Sequence, residues 1–525
     1  MRLHFHNGAL FDGHRHHDHA DLWVEDGVIV AAPGGPADER IDLAGGLVAP
    51  GFIDAHAHPV QGGLERLRCD LSGGSTRDDY RAAVKAYADA HPDAEWILGG
   101  GWAMSAFPGG TPSRADLDDL VPDRPVYLPN RDHHGAWVNS RALELAGVDT
   151  STPDPPDGRF ERAADGTPTG TLHEGAMAAV ARLVPAETDD DLYAGLLEGQ
   201  QYLHSCGVTG WQDAIIGKYA GHGDPATAYT RAVAEGTLTA EVVGALWWRR
   251  RAGVEQVEEL IAQRAAISSA RFRATSVKIM QDGVAENYTA AMNAPYLDRC
   301  GHPTDNRGHS FVEAGALREA VTALAAADFQ VHVHAIGDRG VREALDAFEA
   351  AARPDLLPHI AHLQVVDPVD VPRFADLGVT ANMQMLWACL EDQMAELTIP
   401  FLGPERSAWQ YPFGALHRSG APLCAGSDWP VSTPDPLQAI HTAVTRLSYE
   451  EATPEPFLPE QALPLEVAFA AYTSGSARIN RSRAGTTNPG RPADLVVLDR
   501  DPFAAPIEEI GATRVVSTWI GGRPV

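Results

Sequence analysis

What this sequence lacks narrows it first. Its 525 residues contain no apolar run of the roughly 18 residues that a membrane-spanning helix needs. The opening stretch, MRLHFHNGALFDGHRHHDHADLWVEDG, shows neither an apolar core nor a small-residue cleavage site, so no secretory leader is expected. Cysteine is scarce: Cys69, Cys206, Cys300, Cys389 and Cys424 are odd in number, far apart and never in a CxxC pair. That usage argues against a disulfide framework and reads as reduced, mostly buried thiols in a cytoplasmic protein. Basic residues are outnumbered, 41 against 71, for a net charge of −30. Such a chain repels phosphate backbones and anionic lipid, so neither nucleic acid nor membrane is expected as a partner. There is no GxSxG elbow and no GxxxxGK[ST] phosphate loop. The run Gly99-Gly100-Gly101 lacks the strand–helix context of a dinucleotide site.

What is present is a long alternation of apolar patterns, with 44% hydrophobic residues to bury. Both ends read as short strands: RLHFHNGALF, DLWVEDGVIVAAP and RIDLAGG at the start, ADLVVLDR and RVVSTWIGGRPV at the end. Because chain termini often lie close together, residues 1–47 and 485–525 are expected to form one small β-sandwich domain. The histidines at 14, 16, 17 and 19 fit a polar hairpin loop better than a metal tract. Between the ends, eight candidate parallel strands (48–58, 207–214, 241–248, 274–283, 329–338, 359–364, 378–384 and 422–428) alternate with helix-period stretches such as DLYAGLLEGQQYLHSC and GVREALDAFEAAA. Eight βα repeats over 48–484 predict an α/β fold, a (β/α)8 TIM barrel with every strand's C-terminal end on one face. A large insertion after strand one, about 62–205, is expected on that same face.

Metal-capable side chains recur near those strand ends. Strand one ends in Asp54-Ala55-His56-Ala57-His58, and alternation puts His56 and His58 on one face, as ligands of a shared cation or simply as polar end residues. Strand four carries Lys278 among apolar neighbours. It is either paired with an acid such as Asp282 or Glu286, or carboxylated by CO₂ so that carbamate oxygens can bridge two divalent ions, because a protonated lysine has no lone pair for a metal. Strand five adds His332, His334 and Asp338, strand six His362, and strand eight Asp428. Nitrogen and oxygen donors without thiolate suit Zn²⁺, with Mn²⁺, Fe²⁺ or Ni²⁺ as alternatives.

PGFIDAHAHP, SVKIMQDG, HVHAIGDRG, IAHLQ and AGSDWPV resemble, in order, the signatures of the amidohydrolase superfamily. More narrowly they resemble its family 3 branch, which includes N-substituted formamide deformylases. GGGWAMSAF, DHHGAWVNSRALELAG and DGTPTGTLHEGAM are similar to that branch's insertion, and NPGRPADLVVLDRDPF to its C-terminal β segment. The resemblance implies that His56 and His58 bind the more buried of one or two zinc ions, that Lys278 bridges as its N6-carboxylate, and that His334 and His362 bind the second ion. It implies that Asp428 is both a ligand and the catalytic proton shuttle for a metal-activated hydroxide. His332 either substitutes at the metal or supports it from behind, with Asp282 and Asp338 as further ligand-orienting residues. His134 matches a DGHSAWVN-like stretch and is the expected polar contact to substrate. Trp102, Trp137 and Trp387 are either apolar walls of the pocket or ordinary core, and Asn139 and Glu174 either belong to the site or cap and pair locally.

The function so implied is hydrolysis of a C–N bond in an amide, formamide or cyclic amide. The alternatives are a one-metal deaminase-type or ester hydrolase, and a non-catalytic binding or regulatory protein on the same scaffold. The expected partner is a small-molecule substrate. The acidic surface allows a homodimer, and the sequence leaves both substrate and oligomeric state open.

Overall fold

The structure, a computed structural model, describes residues 1–219, 222–449 and 455–525. Eight parallel strands form one sheet in sequence order: β1 (Phe52–Ala57), β2 (Val208–Ile216), β3 (Glu241–Trp247), β4 (Phe272–Met280), β5 (Gln330–Ala335), β6 (His359–His362), β7 (Thr380–Met383) and β8 (Leu423–Ala425). Each coincides with one of the eight strands expected from the sequence. The ladder stops short of pairing β8 with β1, yet the two ends are tied just beyond it, by Asp428 N–H to His56 O at 2.7 Å and His58 N–H to Trp429 O at 2.8 Å. The result is a nearly closed barrel.

Helices alternate with the strands: α1 (Pro59–Leu67), α2 (Asp189–Ser205), α3 (Ala226–Glu235), α4 (Val257–Ile267), α5 (Ala314–Ala326), α6 (Asp338–Ala351), α7 (Val371–Leu377), α8 (Phe413–Arg418) and α9 (Pro436–Thr445). Local chemistry sets their limits. Thr188 and Asp191 form a reciprocal capping box at the start of α2, and Gly236 and Gly378 end α3 and α7 in the left-handed conformation that glycine adopts without steric cost. α1 and α2 cross so closely that a Cβ on Gly63 would lie 1.8 Å from Gly195 O. Both helices belong to the barrel layer, so the inserted region proper lies between them.

That region forms a six-stranded mixed sheet, in the order Gly158–Arg162, Pro168–Glu174, Gly135–Val138, Val126–Pro129, Ile97–Gly100 and Cys69–Asp70. It also includes the helices Arg77–Ala90 and Ser140–Ala146, and the sheet was not expected from the sequence. One side of it packs a core that includes Tyr80, Trp102, Phe107 and Trp137.

Both chain ends meet in a second six-stranded sheet, where Leu47–Pro50 pairs with Leu495–Leu498. It shares a core with a four-stranded sheet of N-terminal strands, through Leu3, Phe5, Val24, Leu495, Val497 and Trp519. Its other face (Phe11, Leu47, Ala49, Val496 and Leu498) joins the barrel's own core. His16 and His17 form an edge hairpin strand against Leu10 and Phe11, with ring contacts to Asp501 and Asp12, in line with the polar-hairpin reading.

Candidate active site

Residues alternating on β1 and β5, together with the ends of β4, β6 and β8, converge at one mouth of the barrel. His56, Lys278, His334, His362 and Asp428 are buried there, with His58 at the edge. His58 Nε2 and His56 Nε2 each lie 3.0 Å from Asp428 Oδ1, and Lys278 Nζ lies 3.2 Å from His56 Nε2. The rings of His334 and His362 are 4.4 Å apart, and those of His56 and His362 4.9 Å. Donor atoms of His56, His362 and Asp428 all fall within 4.8 Å of one another. His362 (φ 81°) and Asp428 (φ 58°) occupy the left-handed region. A side-chain-bearing residue there stores about 1–3 kcal/mol, a strain typical of sites where direction matters more than comfort.

Beneath this mouth runs a hydrogen-bonded chain whose polarity can be assigned from its end. Gln330 Nε2 donates to the backbone oxygens of Leu357 (3.0 Å) and Ile479 (2.9 Å), which can only accept. Gln330 Oε1 therefore accepts from Gln212 Nε2 at 3.1 Å, and Gln212 Oε1 accepts from His332 Nδ1 at 2.7 Å. His332, neutral because burial and then neighbouring His359 hold its basicity far down, must accept through Nε2. Its partner at 2.9 Å, His56 Nδ1, is thus the protonated nitrogen of that ring. His56 Nε2 is left with a lone pair facing Asp428. Both nitrogens of His332 are engaged, so it supports His56 from behind.

A lone pair opposed to a carboxylate oxygen at 3.0 Å is repulsive unless a cation lies between them. Close to the same point His362 Nδ1, 3.8 Å from Asp428 Oδ2, is buried with no hydrogen-bond partner. Burial, followed by the Lys278 charge, pushes His56 down to about 3, and burial likewise holds His334 and His362 well below the usual imidazole range. Burial would raise Asp428, but His56, His58 and His362 more than offset it and keep the carboxylate ionised. Neutral imidazoles around one carboxylate are a donor set suited to a divalent metal. Lys278 pairs with neither Asp282 nor Glu286. Burial brings its amine down to about 7 against the pull of Asp428, so much of it is the neutral amine that reaction with CO₂ requires. It is one of three lysines in the chain, with Lys85 and Lys218, which makes its place inside the barrel conspicuous.

Asp282 accepts from the backbone N–H groups of Ala291, Ile336 and Gly337 at 2.8–3.0 Å and lies 3.5 Å from His334 Nε2, clamping the end of β5. Asp338 instead accepts from Asn293 N–H and Nδ2 at 3.0 and 2.7 Å, and among the described residues no hydrogen bond or ion pair joins it to the histidine cluster. Asp54 was not singled out from the sequence, although it shares the 54–56–58 alternation. It accepts from His56 N–H and from both N–H and Oγ of Ser427, and so fixes β1 to the residue before Asp428.

The cluster opens into an inner cavity of about 80 Å³, walled also by His133, His134, Tyr219 and Trp387. Across Asp132, Val284, Ile336, Trp387 and Val431 it adjoins an outer chamber of about 470 Å³. His134 Nδ1 lies 2.9 Å from Glu174 Oε1. Burial opposes a charge on the ring, but Glu174 outweighs it and raises His134 to about 9. Glu174 (φ 50°) also accepts from Thr289 Oγ1 at 2.8 Å, so it is itself held in place where it grips His134. Trp387 stacks on the His362 ring at 5.5 Å, and Trp102 reaches the outer chamber while donating Nε1–H to Leu128 O. Trp137 is insertion core, packed on Phe107 at 5.2 Å. Asn139 caps the helix Ser140–Ala146.

The amidohydrolase family profile matches residues 39–525, and the chain belongs to that family; it is a hydrolase by family. It is 30% identical over its whole length to YtcJ of Bacillus subtilis (strain 168), of which 99% is covered and whose name assigns it provisionally to the amidohydrolases. It is 26% identical to the N-substituted formamide deformylase of Arthrobacter pascens, over 93% of this chain and 90% of that one. An uncharacterized metal-dependent hydrolase from Pyrococcus furiosus superposes with a TM-score of 0.71 at 25% identity, covering 96% of this chain and 100% of that chain.

Proposed function

We propose that this protein hydrolyses a C–N bond in an amide, formamide or cyclic amide, using one or two divalent cations, zinc first. The observation that carries this reading is the His56 Nε2 lone pair, fixed by the Gln330–Gln212–His332 chain and aimed at Asp428 beside the unpartnered His362 Nδ1. His56, His58, Lys278 as its carboxylate, His334, His362 and Asp428 would hold the metal. When bound, a divalent cation supplies Lewis acidity, sufficient to generate a nucleophile at neutral pH. Asp428, ionised in the structure, takes the proton of the attacking water and returns it to the departing amine. His134, protonated and held through Nδ1 by Glu174, offers Nε2–H to the substrate's carbonyl oxygen. Trp387 and Ile336 exclude bulk water at the neck between the two cavities. The relatedness to a formamide deformylase favours small N-acyl groups, which a cavity of about 80 Å³ accommodates.

Metal analysis of the purified protein, followed by hydrolysis assays on N-formyl and N-acyl compounds, tests the reading. Bound divalent metal together with turnover of at least one such compound is expected. Metal-loaded protein that hydrolyses none of them, while hydrolysing esters or deaminating, would overturn the C–N assignment.

A further inference from the structure

The outer chamber contains an acid that the chemistry above does not use. Glu286 follows β4 in the loop beyond Lys278 and lines the chamber together with Trp102, Trp387, Tyr411 and Trp429. Its carboxylate accepts one hydrogen bond, from Thr398 Oγ1 at 2.7 Å, and a further one from the Gln364 side chain. Among the described residues no arginine, lysine or histidine nitrogen lies within 4.0 Å of it, whereas its neighbour in the electrostatic field, Asp132, carries the same sign. Asp132 stands at the neck, on the wall common to both cavities, and accepts from His134 N–H at 2.8 Å.

Two arginines also line the chamber. Arg66 is spent on Glu198 (2.8 Å) and on the face of Tyr202 (4.0 Å). Arg131 lines only the outer chamber and forms no ion pair with either carboxylate. A half-buried acid without a counter-charge is costly to keep ionised, and the partial loss of solvent displaces Glu286 upward. Indole and phenol side chains lining the same chamber as such an acid form the kind of enclosure that takes up an organic cation.

We propose that the substrate's nitrogen substituent bears a second, positively charged nitrogen, an ammonium or guanidinium, which sits in the outer chamber against Glu286 and the surrounding rings while the scissile bond lies in the inner cavity. This rests on the hydrolase reading above and adds the substrate class to it. The neck sets the order of the groups, with the small acyl end inward and the cationic end outward. Asp132 lies on the route between them.

Matched substrates test this without any variant. The N-formyl derivative of a benzylamine with a para-aminomethyl group is compared with its para-hydroxymethyl counterpart in the metal-loaded protein. The expected result is a kcat/KM at least tenfold higher for the cationic compound, with the preference reduced by raised salt. In Glu286→Gln, which retains the bond to Thr398, the ratio between the two compounds falls at least tenfold, and Asp132→Asn gives a second reading should the first variant fold poorly. Equal turnover of the two compounds, or preference for the neutral one, overturns the inference and leaves the hydrolase reading standing. If neither compound is turned over, calorimetric binding of benzylammonium decides. Binding in the wild type that is lost in Glu286→Gln supports the cation site while removing the formamide chemistry, and absence of binding overturns the cation site.

Discussion

Around the inner cavity, both nitrogens of His56 and His332 have assigned roles, and the chain that assigns them ends on two backbone carbonyls. Around the outer chamber the walls come from α1, α2, the insertion and the loops after β4, β5, β6, β7 and β8. The two spaces meet at five residues, yet they are built by different means. Strand register positions the histidine cluster of the first, to which the insertion adds only Asp132, His133 and His134, while the second depends on how separate segments fold over one another. A catalytic constellation needs the former, and selection among substrates is served by the latter. If that division is right, substitutions beneath the inner cavity should act on metal and rate, and substitutions in the chamber should act on substrate affinity.

The largest effect is expected at Asp428. Asp428→Asn retains an oxygen donor and the shape of the side chain but cannot accept the water proton, so kcat should fall by about 10²–10⁴, with metal content close to wild type. Full activity in that variant, measured alongside metal analysis, would remove the proton shuttle from the mechanism.

Next comes Gln212, which touches no proposed ligand. In Gln212→Leu the His332 ring loses the acceptor for its Nδ1–H and is free to take the other tautomer, and the lone pair of His56 Nε2 is no longer guaranteed. Supporting residues of this kind typically contribute about 10–100-fold in metal affinity. Competition with a metal-sensitive dye should show that loss, and excess metal should restore most of the rate. A variant with unaltered metal affinity would show that the chain beneath His56 is only packing.

How far these features are legible in the sequence follows the same division. The strands of the barrel could be read because their polar residues recur with period two at apolar strand ends: 54 and 56 on β1 with 58 just past it, and 330, 332 and 334 on β5. That alternation also carried Asp54 and Gln330, and it was read only for the histidines. Gln212, a lone amide in the apolar run GVTGWQDA, was a visible signal whose partner lay 118 residues away. The insertion's sheet was hidden for a different reason. Its strands are two to seven residues long and rich in glycine and proline, and three of its five pairings, parallel and antiparallel, join residues about 29 to 38 apart, so no local pattern announces the sheet. Asp338 opens α6 and holds Asn293, an environment that no sequence pattern announced.

In the chamber, Trp387→Leu removes the ring stacked on His362 and narrows the apolar neck's coverage. KM should rise roughly three- to tenfold, the scale of one aromatic contact, with metal content unchanged. A fall in kcat at constant KM would instead place Trp387 with the chemistry.

The smallest effect on activity, and the sharpest test of the division, is expected at Asn139. Its Oδ1 accepts from Ala142 N–H (3.0 Å) and Val126 N–H (3.1 Å), and its Nδ2 donates to Val121 O (2.9 Å) and Arg124 O (2.8 Å), all within the insertion. Asn139→Ala removes a helix cap that contributes about 0.5–2 kcal/mol and strands further buried groups at about 1–3 kcal/mol each. The melting temperature of the first transition should drop by several degrees. At a temperature where the variant is folded, metal content and kcat should stay within twofold of wild type, because β1, β4, β5, β6 and β8 hold their residues without help from this helix. Loss of bound metal in folded Asn139→Ala would mean that the insertion helps to shape the cluster itself, and the two spaces would then have to be treated as one cooperative unit.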